Sequence, residues 1–198
     1  MAQKTDRRIR KTRAQLRSGL AKLMQKKSVR EITVKELVDE VDINRSTFYL
    51  HYSDIYQMLE SIEAELEAEV IETIQNHPLE PVCKDTSSFV EQFFIFLEKN
   101  QDICCALLGP HGDMAFVTNI ERIIAENMMS KDISLSDKNI LDIAYASSFC
   151  LSGCVGLIQT WLNGALKESP QHMAKLTHSL ITHTTHDFVM RAAVIMKQ

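Results

Sequence analysis

Apolar residues recur at helical spacing along almost the whole chain. Ile9, Leu16, Leu20, Leu23 and Met24 share one face of a segment otherwise made mainly of Arg, Lys, Gln and Ala. This predicts an amphipathic first helix of about five turns, ending near Lys27 and Ser28. Thr33 precedes Glu36 by three residues, the spacing of a capping box, and Val34, Leu37, Val38 and Val41 supply the apolar face of a short second helix. Asp42 and Ile43 break that rhythm. Asn44 is a good cap for a third helix written RSTFYLHY, after which Ser53 and Asp54 open a long fourth helix. Its apolar positions are Ile55, Leu59, Ile62, Leu66, Val70 and Ile74, and Pro78 and Pro81 close it.

Beyond Pro81, TSSFVEQFFIFLEKN offers a Ser or Thr cap and then Phe89, Phe93 and Phe96 at i, i+4 and i+7, a helix with an aromatic face. The segment QDICCALLGPHGD reads as the end of that helix in a Gly-Pro turn. A helix from Asp113 to Met129, an uncharged helix from Ile143 to Leu166 and a last helix opened by Ser169 and Pro170 complete the pattern. No strand or repeat is evident. Only 4 Pro and 6 Gly interrupt 198 residues, so the expected fold class is all-α, within the size of one domain or two small ones.

The stretch from Ile143 to Leu166 is long enough to span a bilayer. It carries Ser147, Ser148, Ser152, Gln159, Thr160 and Asn163, whose polar groups disfavour lipid, and Gly153 and Gly156 permit close packing. A central or interface helix is expected, with no membrane partner. The charged residues 1–15 lack the apolar core of a secretory signal, which makes the cytoplasm the expected compartment.

The net charge of -4 conceals an asymmetry: residues 1–60 carry 13 Lys and Arg against 8 Asp and Glu, whereas residues 61–198 carry 9 against 18. Within residues 1–30, 11 basic residues face Asp6 alone. Such a concentration draws a polyanion to one end of an acidic molecule, nucleic acid being the natural candidate and a solvated helix face or a membrane surface the alternatives. Two short helices joined by a tight turn and packed on a longer first helix form a helix-turn-helix unit. Its third helix starts with polar side chains suited to a DNA groove. Arg45 can reach guanine, Asn44 adenine or phosphate, and Thr47 a thymine methyl, with Ser46 completing the polar front. Tyr49, His51 and Tyr52 suit phosphate, as do the backbone N–H groups beside Thr33.

The run TVKELVDEVDINRSTFYLHYSDIYQML resembles the helix-turn-helix signature of the TetR family of bacterial transcriptional regulators. The match covers residues 7 to 60 and is specific at Thr33, Leu37, Val41, Ile43, Thr47, Phe48, Tyr49, His51 and Tyr52. Three positions depart from the family pattern. Asp42 stands where the turn usually has Gly, Val38 replaces a small residue, and Ile55 stands where a lysine commonly binds phosphate.

The resemblance implies a DNA-binding domain over residues 1–53 and a helical effector-binding and dimerisation domain over residues 54–198, joined by the long fourth helix. It also implies a homodimer through the last two long helices, with Leu157, Trp161, Met173, Leu176, Leu180 and Phe188 as interface candidates. Phe89, Phe93, Phe96, Phe149 and Trp161 are candidates to line a pocket for a small apolar or aromatic effector, although taken one by one each fits a core position better.

Two function classes follow. One is a sequence-specific regulator, in this family usually a repressor relieved by an effector, bound as a dimer to an inverted repeat in double-stranded DNA. The other is an effector-binding adaptor or coactivator that has lost specific DNA binding, for which Ile55 is the best argument. No Walker loop, G-x-S-x-G or H-E-x-x-H motif points to an enzyme, and none of the residues calls for a cofactor. Cys83, Cys104, Cys105, Cys150 and Cys154 are expected as buried thiols rather than disulfides or sensors, and His178, His183 and His186 lack carboxylates at metal-ligand spacing.

Overall fold

The computed structural model describes residues 2–78, 87–128, 137–164 and 167–195, and these contain helices and turns with no strand. In chain order the helices are α1 (Ala2–Met24), α2 (Val34–Glu40), α3 (Arg45–Tyr49), α4 (Ile55–Asn76), α5 (Ser87–Lys99), α6 (Gln101–Leu107), α7 (Met114–Met128), α8 (Asp137–Asn163) and α9 (Pro170–Ile195). The residues fall into two compact units. One contains residues 1–68 and 100–117, the other residues 69–99 and 118–198. The division at residue 53 is one of expected roles, whereas the packing units give most of α4 and all of α6 to the first.

In the first unit α1 packs most extensively on α6, and also on α2. Leu16, Leu20 and Met24 of α1, Leu37 and Val38 of α2, Phe48 of α3, Met58, Ile62 and Leu66 of α4, and Ile103 and Leu107 of α6 are buried. The apolar spacing of each short helix thus finds a partner, with about 1.5–3 kcal/mol favouring burial of each large side chain. Gly19 permits the close approach of α1 to α2, since a Cβ there would lie 2.2 Å from Val41 Cγ1.

Local polar bonds fix the helix ends. Thr33 and Glu36 form the expected capping box, and a second one, Ser28 with Glu31, holds a short 3-10 turn at Val29–Glu31 that sequence reading passed over. The Lys27 ammonium, together with the Thr33 N–H and hydroxyl, holds the Glu36 carboxyl down to about 2. Asp42 has φ 52°, as expected of a residue replacing the turn glycine, and Ile43 N–H bonds Val38 O at 3.0 Å to close α2 with a left-handed cap.

Three elements differ from expectation. Residues Gln101–Leu107 form α6 instead of a turn, because Ile103, Cys104, Ala106 and Leu107 are all buried and outweigh the nearby Gly and Pro, which confine the turn to the residues after Leu107. Helix α3 stops at Tyr49 where RSTFYLHY suggested eight helical residues, with His51 and Tyr52 N–H groups folding back onto Phe48 O. Helix α8 begins at Asp137, earlier than Ile143.

In the second unit α5 packs mainly on α9, and α8 packs on α9 as well. The Phe94 ring meets Trp161 edge to face at 5.1 Å, and Trp161 Nε1–H donates to Glu168 O at 3.0 Å, satisfying the polar atom of a buried indole. No helix among the described residues is long and apolar enough to cross a membrane.

Candidate nucleic-acid interface

Helix α3 presents its polar start because its opposite side is anchored. Phe48 is completely buried, with its ring 5.4 Å from Tyr49 and 5.9 Å from Tyr52, while Arg45 and Ser46 are exposed and Tyr49 is 57% exposed. Thr47 and His51 are half-buried. The Asn44 Oδ1 accepts from both the Ser46 N–H and the Ser46 hydroxyl, each at 2.9 Å. With both acceptor sites engaged, the Nδ2 donor remains, an arrangement suited to a phosphate oxygen. A bidentate adenine contact would need the acceptor too.

Thr33 is exposed at the start of α2, but its N–H and hydroxyl donate to Glu36. The Glu36 N–H in turn uses the Thr33 hydroxyl oxygen, which leaves the N–H groups of Val34 and Lys35 as the first-turn donors for an external anion. Tyr52 differs from its expected role. It is only 5% exposed, and its hydroxyl accepts from Arg13 Nε at 3.0 Å, so it braces the third helix on α1 rather than lying on the surface.

Arg13 bonds across the first unit in a way that no local sequence pattern indicates. Its guanidinium also bonds Glu65 and Ser61, and Arg17 reaches Glu65 Oε2 at 3.8 Å and Asn100 Oδ1 at 2.8 Å. The sequence offers only the i, i+4 placement of the two arginines beside Leu16 and Leu20 on the apolar face of α1, which names no partner.

The candidate pocket residues do not converge. Phe89, Phe93 and Phe96 stack along one side of α5 with centroids 5.6 and 5.8 Å apart. Trp161 instead packs on Phe94, which helical geometry turns away from that row. Phe149 is a correction: it is 68% exposed on α8, near the equally uncovered Tyr145. Leu176 and Leu180 of α9 are exposed too, whereas Trp161 and Met173 are buried within the chain. Phe188 lies outside the described side chains. A Cβ added at Gly153 or Gly156 would meet nothing within 4 Å among the described residues.

Cys104, Cys105, Cys150 and Cys154 are free, and Cys83 lies outside the described residues. Burial raises the thiol pKa of Cys105, Cys150 and Cys154, the last to about 11, so these three are poor nucleophiles at neutral pH. The described residues contain no metal-binding cluster of His, Cys, Asp or Glu, and the side chain of His186 lies outside them.

A three-helix head with one polar-fronted helix end exposed defines a helix-turn-helix protein. The family model described as the transcriptional regulator C-terminal region, of TetR type, matches residues 84–183, half of the chain and wholly outside the helix-turn-helix. The chain belongs to the TetR family of transcriptional regulators. Solved structures agree in fold. A TetR-family regulator from Streptomyces coelicolor superposes with TM-score 0.62 at 17% identity, over 94% of this chain and 83% of that one. A TetR regulator from Streptococcus agalactiae gives 0.56 at 19% identity, over 91% and 99%. The dihydroxyacetone kinase operon activator DhaS gives 0.51 at 13%, over 92% and 97%. A comparison with curated proteins finds no match.

Proposed function

We propose that this regulator is a repressor that binds an inverted-repeat operator as a homodimer and leaves it when a small apolar or aromatic effector binds the second unit. The observation that carries the DNA reading is the exposed row Arg45, Ser46 and Tyr49, held outward by buried Phe48. Arg45 reads a base edge. Tyr49, the Nδ2 group of Asn44 and the N–H groups at the start of α2 hold phosphate and set the register. Thr47 and His51, half-buried, act at the edge of this contact. Dimerisation through α8 and α9 is supported by exposed Tyr145, Phe149, Leu176 and Leu180 and by the open space at Gly153 and Gly156 among the described residues. The aromatic row on α5 supports the effector class. Helix α4 has residues in both units, which suits it to carry the effector's influence to the reading head.

The test is selection of bound fragments from a random duplex library, followed by salt titration of the winner and sedimentation of the complex. An enriched inverted repeat bound by two copies with a steep salt slope is expected. Persistent absence of enrichment overturns the reading. A second reading, an effector-binding adaptor or coactivator that has lost specific DNA binding, is favoured by Ile55: this residue is only 4% exposed and places no cation at the start of α4. Enrichment of a specific site in the selection overturns this second reading.

A further inference from the structure

The 11 basic residues among the first 30 do not all do the same thing. From Arg13 onward, several pair with acidic side chains of the first unit. Arg13 and Arg17 pair with Glu65, Lys22 Nζ lies 3.5 Å from Glu40, and Lys27 Nζ lies 2.6 Å from Glu36. Arg7, Arg8 and Lys11 come before these, on the first three turns of α1. All three are exposed, and they have no ion-pair partner among the described residues. Lys11 is i+4 from Arg7 and i+3 from Arg8, so the three share one side of the helix, opposite the face that buries Leu16 and Leu20. Asp6, the lone acid in this stretch, stands four and seven residues before Arg10 and Arg13 in the sequence.

The helix starts of the head show why such a ridge matters. A helix N-terminus ordinarily attracts phosphate, but at α4 that place holds a carboxylate: Asp54 Oδ1 accepts from Gln57 N–H at 2.8 Å, and the next residue is buried Ile55. Helix α2 contributes Lys35 and α3 contributes Arg45 as their only basic residues. The duplex backbone beyond the bases read by α3 therefore needs cations from elsewhere, and α1 has them in a row.

We propose that Arg7, Arg8 and Lys11 form a phosphate-binding ridge that grips the DNA backbone outside the bases read by α3, a role that rests on the DNA reading above. The ridge adds affinity without sequence preference and widens the contacted stretch of duplex.

The experiment titrates full-length wild type, Arg7→Gln/Arg8→Gln/Lys11→Gln and Arg7→Lys/Arg8→Lys against the selected operator and a scrambled duplex at several salt concentrations. The glutamine variant should lose affinity for both duplexes by the same factor. Its slope of log K against log salt should fall by about 2 to 3, one released counterion for each lost contact. Hydroxyl-radical protection should shrink at the flanks, and the lysine variant should keep the wild-type slope. An Arg45→Ala control should instead lose discrimination between the duplexes. An unchanged slope in the glutamine variant, with wild type binding its operator, overturns the ridge alone. Wild type without affinity for any duplex overturns the DNA reading and the ridge with it. If the same substitutions abolish binding to phosphatidylserine vesicles while the duplex slope stays intact, the ridge belongs to a membrane surface and the proposal is wrong.

Discussion

The first unit fixes its helix ends with local polar bonds while keeping exposed apolar side chains such as Leu50 and Met114, whereas the second bears exposed aromatics and leucines on two helices that pack on each other. Around α1, α2 and α3, polar side chains close helix ends or pair with a charge, and Leu16, Leu20, Leu37 and Phe48 are wholly buried. On α8 and α9, Tyr145, Phe149, Leu176 and Leu180 are exposed, and Gly153 and Gly156 of α8 have open space around them among the described residues. The contrast teaches that a reading head must be rigid by itself to hold a few polar atoms in register, whereas a face built of large apolar and small residues anticipates another surface.

The largest expected effect tests the self-sufficiency of the head. Phe48→Ala should destabilise it by about 3–5 kcal/mol, read as a lower melting temperature by circular dichroism and loss of operator binding. Close behind, Phe149→Glu combined with Leu180→Glu should weaken self-association by about 100-fold or more, roughly 3 kcal/mol, since two charges would be buried at the contact. Analytical ultracentrifugation reads this directly, and an unaffected dimer would erase the contrast between the units. Arg45→Ala should cost about 1–3 kcal/mol of operator affinity and relax base preference, with the dimer intact.

Smaller effects sharpen the picture. Burial, followed by the charges of Asp113, Glu67 and Glu60, pushes the Glu63 carboxyl up to about 7. The folded protein therefore holds this proton more tightly than the unfolded chain does. The stability of the first unit should fall as pH rises from the ordinary carboxylate range to about 7 and level off above it. Glu63→Gln should flatten that slope and raise the melting temperature at pH 8 more than at pH 5. The least effect is expected from Asp42→Gly, a gain of up to about 1 kcal/mol in thermal stability from relief of the left-handed backbone.

Which features were legible in the sequence depended on the distance over which they are decided. The Thr33 and Glu36 box and the Asn44 cap were readable because each involves side chains and backbone within three residues, while the turn position of Asp42 was legible only through the family resemblance. Helix α6 was not, since its Gly-Pro neighbours gave a turn signal that only the burial of Ile103 and Leu107 overrides. Tyr52 and Phe149 exchanged their expected surroundings for the same kind of reason. An aromatic ring at helical spacing looks alike whether a distant arginine holds it inside or no neighbour covers it.

By itself, then, the sequence determined the helical class, the helix-turn-helix with its caps and turn, and the concentration of positive charge near the first helix, all properties of periodicity and short-range bonding. Tertiary structure decided which of those cations have partners within the chain. Arg13 finds Tyr52 and Glu65, and Arg17 finds Asn100, across 39 to 83 residues of chain. It also decided which aromatics are core and which are surface, because burial is set by what packs against a side chain, and no local pattern contains that partner.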